Sequence, residues 1–356
     1  MEDYFSGSDS IEEALTLFRD VSQALNTGGM MLRKWCSNNP AVRQYISEVS
    51  DEPHFSLDLG NQDTIGSLGL VWCPEKDQLT YSTSQREQVD TRTKRSLLSS
   101  LNSIFDPLGF LGPVLIRGKE TFIKDLENLD QLFIPRSVKY NPHGEIQLHG
   151  FCDASQIAYG GCVYFRQQVS DELCHVQLLC AKSRVAPTKT QTIPRLELCG
   201  AHLLAELISR VEKSMGLSLH NTHCWTDSTV ALTWIQGESS QWKTYVVNRV
   251  TQINEAVKQQ NWSHVSTSLN PADALSRGVS ATELLNLSLW WSGPKFLQKR
   301  LINNRCKEEF QLPDDNTLER RPLKFTLATT INQFKSRFSV TGWLRNGLTD
   351  LADLPG

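Results

Sequence analysis

The chain of 356 residues predicts an α/β fold, a mixed β-sheet with helices packed on it, preceded by an α+β region. Three observations carry that expectation. Residues 146–151, 161–165 and 176–181 are short apolar runs separated by turn residues, the pattern of an antiparallel meander. A long amphipathic pattern follows over 195–213, and beyond it strand and helix signals alternate. Finally, four acidic residues fall where such elements end.

In chain order, Ile11, Ala14, Leu15, Phe18, Val21 and Leu25 recur at helical spacing after Ser10, with Gly28-Gly29 as the stop. Residues 68–72 and 78–81 flank the turn-rich Pro74-Glu75-Lys76-Asp77 and predict a hairpin. Residues 93–105 and 114–129 read as helical, interrupted by Pro107, Gly109, Gly112 and Pro113. Past Pro135 come the meander, the helix over 195–213, a strand over 223–226, helices within 229–258, a strand over 262–265 and a helix after Pro271. From about Trp291 the chain turns polar and charged, with weak periodicity until 331–344.

The 36 Lys and Arg against 39 Asp and Glu leave a formal charge of -3, so contact with nucleic acid would need local basic patches and metal ions, not a global field. Nine dispersed cysteines form no Cys-x-x-Cys pair and sit mostly in apolar runs, which reads as reduced thiols of a cytoplasmic or nuclear protein. No apolar stretch long enough to span a membrane and no secretory leader is indicated. Neither an Asp-Thr-Gly or Asp-Ser-Gly triplet nor a Gly-x-Ser-x-Gly elbow occurs, which argues against peptidase chemistry.

Glu197 gives the sharpest single argument, because Gly200, Ala201, Leu204, Ile208 and Val211 follow it along one helical face. An ionised Glu at the centre of an apolar face costs several kcal/mol unless it is paired or bound to metal. Taken singly, the other acids have ordinary readings: Asp153 ends a strand on the face of Phe151, Asp227 could cap the helix after it, and Asp273 could satisfy a helix begun by Asn270 and Pro271. Taken together, none reads as followed by the basic partner of a helical ion pair, and four acids in one β/α region suggest a two-metal phosphodiesterase site.

The motifs Gly150-Phe151-Cys152-Asp153-Ala154-Ser155, Ile193-Pro194-Arg195-Leu196-Glu197-Leu198, Trp225-Thr226-Asp227-Ser228 and Asn270-Pro271-Ala272-Asp273-Ala274-Leu275-Ser276-Arg277 resemble the ribonuclease H domain of BEL/Pao retrotransposon polyproteins. The resemblance implies a ribonuclease H-like mixed five-stranded sheet with flanking helices over 140–285, with Asp153, Glu197, Asp227 and Asp273 as both catalytic residues and ligands of two Mg²⁺ or Mn²⁺ ions. Residues 1–135 are similar to the end of the same family's reverse transcriptase, from palm end through thumb and connection. There Glu2-Asp3-Tyr4 resembles the tail of the polymerase box and 68–72 the primer-grip hairpin; with fingers and most of the palm missing, polymerase activity is not expected. Residues 286–356, including Trp290-Trp291-Ser292-Gly293-Pro294, resemble the stretch before an integrase.

The resemblance implies cleavage of the RNA strand of RNA/DNA hybrids, with other retroelement polyprotein pieces as further partners; a silent nucleic-acid-binding remnant is the rival expectation. Lys182, Arg184, Lys189 and Arg195 form the nearest basic group, and Trp242, Lys243, Tyr245 and Arg249 mix rings and bases at helical spacing. Of these, Lys182, Arg184, Arg195, Lys243 and Arg249 are the candidate nucleic-acid contacts. His264, on the strand leading to Asp273, could assist product release; His149 is a weaker candidate.

Overall fold

The computed structural model describes residues 6–32, 35–49, 65–67, 70–81, 104, 106–117, 127–138, 141, 144–170, 174–216, 222–299 and 319–321. The chain divides into two compact units, Met1–Glu319 and Arg320–Gly356, and every element below belongs to the first. Glu2-Asp3-Tyr4, residues 93–103 and 331–344 lie outside the described residues, as do Leu68 and Gly69 of the expected hairpin.

Helix α1, Ile11–Thr27, starts where expected, the Ser10 hydroxyl accepting from the Glu13 N–H at 3.2 Å. Helix α2, Pro40–Val49, was not anticipated, although Asn39 caps it by accepting from the N–H groups of Ala41 and Val42. The two share a small core of Phe18, Val42 and Ile46. The hairpin is present as β2, Leu70–Cys73, and β3, Gln78–Thr80, in a sheet that also takes in β1, Ile65–Ser67, and β4, Ile134–Pro135. Of the helix expected over 114–129, Gly112–Arg117 (α3) is helical, Glu127–Gln131 is a short 3-10 turn, and 118–126 lie outside the described residues.

The second sheet is the expected one. Its strands β5 (Ile146–Ala154), β6 (Ala158–Gln168) and β7 (Cys174–Val185) form the antiparallel meander, while β8 (Thr222–Thr226) and β9 (Trp262–His264) add in parallel, in the order β7-β6-β5-β8-β9. Helices α4 (Ile193–Met215), α5 (Thr229–Gln236) and α6 (Thr244–Ala256) cover one face, where Leu148, Cys152, Val163 and Cys224 meet Leu204, Ile208, Leu232 and Val250. A Cβ at Gly150 would lie 2.7 Å from side-chain carbons of Leu204 and Ile208, so the bare glycine lets α4 approach the central strand.

The other face is buried as well. Phe151, Tyr164 and Trp225 share a cluster with Leu111, Val114, Leu129 and Ile134 from the preceding region and with Leu275, Leu284, Trp290 and Leu297 from the following one. One core therefore crosses both boundaries expected from sequence, at 135–140 and at 285–286. The preceding chain is tied down at Gly109, whose φ of 73° suits glycine and whose missing Cβ would collide with the Ala181 carbonyl. Ala181 N–H donates to the Leu108 carbonyl at 2.8 Å, and the Asp106 carboxylate accepts from the Phe110 and Leu111 N–H groups and the Tyr81 hydroxyl. Among the described residues no helix is long and apolar enough to cross a membrane.

Candidate metal centre

Strand register brings the first two acids together. Cys152 of β5 pairs with Thr226 of parallel β8, so Asp153 and Asp227, each one residue further on, leave adjacent strands at the same carboxyl end. Glu197 reaches the same place from the first turns of α4, buried to 7% exposure at the interface its apolar neighbours create. Carboxylate oxygens of Asp153, Glu197 and Asp227 all lie within 4.8 Å of one another.

Such proximity of like charge in a buried place has electrostatic consequences. Burial, then the Asp227 and Asp273 charges, pushes the Asp153 carboxyl up to about 7, against the pull of the Ser276 hydroxyl that donates to it. Burial, then Asp153 and Asp227, pushes Glu197 up to about 10, against a backbone hydrogen bond from Ala154. Glu197 Oε2 is fully buried without a hydrogen-bond partner. An orphaned carboxyl oxygen beside two further carboxyl groups offers a set of hard donors, once deprotonated, that fits a divalent cation such as Mg²⁺ or Mn²⁺.

Three polar residues that sequence reasoning did not single out fix these acids. Asn270, 1% exposed, donates through Nδ2 to the Cys152 carbonyl at 3.0 Å and to Asp227 Oδ1 at 3.3 Å, and accepts from the Ala272 N–H. The Thr267 hydroxyl donates to Asp227 Oδ2 at 2.8 Å. Ser276 donates to Asp153 while its own carbonyl accepts from Ser155 at 2.6 Å. The only signal for Asn270 and Ser276 was membership of the segment around Asp273.

Two local readings are corrected. Asp227 does not cap the helix after it: Ser228 does, accepting from the Ala231 N–H, which leaves the Asp227 carboxylate free to turn toward Asp153. Asp273 opens helix α7, Asp273–Arg277, with Asn270 and Pro271 outside it, and it does have a helical ion pair: Arg277 Nε donates to Asp273 Oδ1 at 2.5 Å. Asp273 accordingly stands apart from the three clustered acids, although its charge is felt at Asp153.

The basic candidates divide. Arg184 and Lys243 are exposed and Lys182 is half-buried at the β7 edge of the sheet. Arg195, by contrast, donates from Nε and Nη2 to the Glu319 carboxylate at 2.6 and 2.8 Å and lies over the Tyr245 ring, which Arg249 covers at 3.7 Å. Trp242, 1% exposed, is core rather than a stacking platform. His149 is also core, accepting from Trp225 Nε1 at 3.3 Å and stacked on His223; burial first, then the neighbouring charges of His223 and Arg166, holds it well below the usual imidazole range. His264 ends β9, half-buried, beside Thr226.

A family profile described as "Pao retrotransposon-like RNaseH-like domain" matches residues 93–128 and 119–228. Asp153, Glu197 and Asp227 lie inside that stretch; Asp273 lies beyond it. Among solved structures, the N-terminal RNase H domain of Rv2228c from Mycobacterium tuberculosis, determined as a fusion with maltose binding protein, is similar at 12% identity and a TM-score of 0.28, covering 40% of this chain and 95% of that one. No curated protein matches the chain.

Proposed function

We propose that the chain, whose residues 93–228 match the Pao retrotransposon-like RNaseH-like domain profile, hydrolyses the RNA strand of RNA/DNA hybrids, leaving 3′-hydroxyl and 5′-phosphate ends. The observation that carries the reading is the convergence of Asp153, Glu197 and Asp227 within 4.8 Å, with an unpartnered buried oxygen on Glu197. Two Mg²⁺ or Mn²⁺ ions held there would supply an activated water and charge neutralisation at the leaving oxygen.

The chain's own part is to hold those oxygens in place. Asn270 and Thr267 orient Asp227, and Ser276 orients Asp153 and favours its anionic form. Glu197 projects from α4 among the apolar residues of that helix and is buried there. Asp273, paired through Oδ1 with Arg277, would complete the second metal site. The RNA strand would be told from DNA by its 2′-hydroxyls across a minor groove, with Lys182, Arg184, Arg195, Lys243 and Arg249 on phosphates. On the same reading, the region before residue 135 descends from the end of a reverse transcriptase and now serves as the second cover of the sheet.

The test is cleavage of an end-labelled RNA/DNA hybrid by the full chain in Mg²⁺ and in Mn²⁺. Cleavage that disappears in Asp227→Asn supports the reading; no cleavage in either metal, or cleavage unchanged by the substitution, sinks it.

A further inference from the structure

The Arg195 cluster is a second charged site at the same end of the sheet. Arg195 stands two residues before Glu197 in α4, about 3 Å along the helix axis. Its guanidinium lies 4.4 Å from the Tyr245 ring centre, and Arg249 packs on that ring too while donating from Nη1 to the Tyr245 carbonyl at 3.2 Å. Rings and guanidinium groups stacked in this way hold the fork in one orientation before any anion arrives.

That anion is Glu319. Both its oxygens take the Arg195 fork, its carbonyl accepts from the Lys243 N–H at 3.0 Å, and the Lys243 charge adds to that of Arg195 at its carboxylate. Glu319 makes these contacts from a φ of 46°, the left-handed region that disfavours residues other than glycine. A bidentate carboxylate on a guanidinium uses the same donor geometry as a phosphate would.

We propose that Arg195, with Tyr245 beside it and Lys243 adjacent, is a phosphate subsite for the nucleic acid, and that Glu319 occupies it as an internal competitor. This deepens the nucleic-acid reading above and rests on it. Removing the Glu319 charge opens the subsite; removing Arg195 abolishes it.

The experiment is fluorescence anisotropy of a labelled RNA/DNA hybrid with the full chain at several salt concentrations and no divalent metal, so that no strand is cut. Glu319→Gln and Glu319→Ala are expected to bind several-fold tighter than the parent, with a salt slope steeper by about one phosphate contact. In the double variant with Arg195→Ala that gain is lost. Affinity unchanged or weaker in both Glu319 variants, a gain that survives Arg195→Ala, or no hybrid binding by any form overturns the proposal. Cleavage separates the two claims: Asp227-dependent cutting with Glu319-independent binding overturns the competitor alone, whereas Glu319-dependent binding without cutting overturns the nuclease alone.

Discussion

At one end of the five-stranded sheet the chain gathers like charges, and two residues away along α4 it gathers unlike ones. Asp153, Glu197 and Asp227 meet with a buried oxygen unsatisfied, whereas Arg195 and Glu319 satisfy each other through both fork nitrogens. The difference teaches what each cluster lacks. Burial, then the neighbouring carboxylates, raises the proton affinity of Asp153 and Glu197, a set that on the proposed reading a divalent cation would complete; the guanidinium already holds an anion from its own chain. Buried like charge is costly to folding and so points to function, while a partly exposed opposite pair contributes little to stability.

The largest expected effect is on turnover. Asp153→Asn or Asp227→Asn should lower the single-turnover rate by about a thousandfold or more, roughly 4 kcal/mol of transition-state stabilisation. Removing divalent metal with a chelator should do the same to the parent chain, and both are read by hybrid cleavage.

Next comes stability against pH in the absence of metal. The folded values of Asp153 and Glu197, about 7 and about 10, lie above their ordinary 3.8 and 4.5, so the folded state binds the extra protons. The stabilisation is thus fully present below the ordinary values and is lost as pH rises, through about 7 for Asp153 and on toward about 10 for Glu197. Chemical denaturation at pH 6 and pH 9 should show the metal-free chain weaker at the higher value. Glu197→Gln, which keeps the shape without the titration, should flatten that slope; an unchanged slope would contradict the electrostatic account.

Smaller effects belong to the orienting residues. Asn270→Ala removes the donor that joins the Cys152 carbonyl to one Asp227 oxygen and should cost about 1–3 kcal/mol in denaturation midpoint analysis. Ser276→Ala removes the hydrogen bond that restrains Asp153, so the acid limb of the cleavage profile should move to higher pH. Smallest of all, Arg195→Ala should change stability by less than about 1 kcal/mol, because its pair with Glu319 is partly open to solvent. A larger loss there would erase the contrast between the two clusters.

Much of this arrangement was legible before any coordinates. The meander and α4 announced themselves by alternation and by helical spacing, and Glu197 stood out because an acid at the centre of an apolar face has few bland explanations. Taken singly, Asp227 had a cap as its ordinary reading, but the chain turns one residue later than the apolar run suggests, giving the cap to Ser228. Arg277 was overlooked at the i+4 position from Asp273 although the spacing was in plain view, as was the Asn39-Pro40 start of α2. Other features were not local at all. Arg195 and Glu319 are 124 residues apart, Asn270 reaches Cys152 across 118, and Leu111 and Trp290 of one core come from before and after the five-stranded sheet in the chain. No periodicity or spacing encodes such meetings; only tertiary packing makes them.

The central claim is that the three carboxylates form a divalent-cation site. Calorimetric titration of the metal-free chain with Mg²⁺ and Mn²⁺ at pH 8, in two buffers of different ionisation enthalpy, tests it most directly. The account predicts saturable binding with net proton release, because cations displace protons held by Glu197, and loss of that binding in Asp227→Asn. Absence of binding, or binding that Asp227→Asn leaves intact, would contradict it.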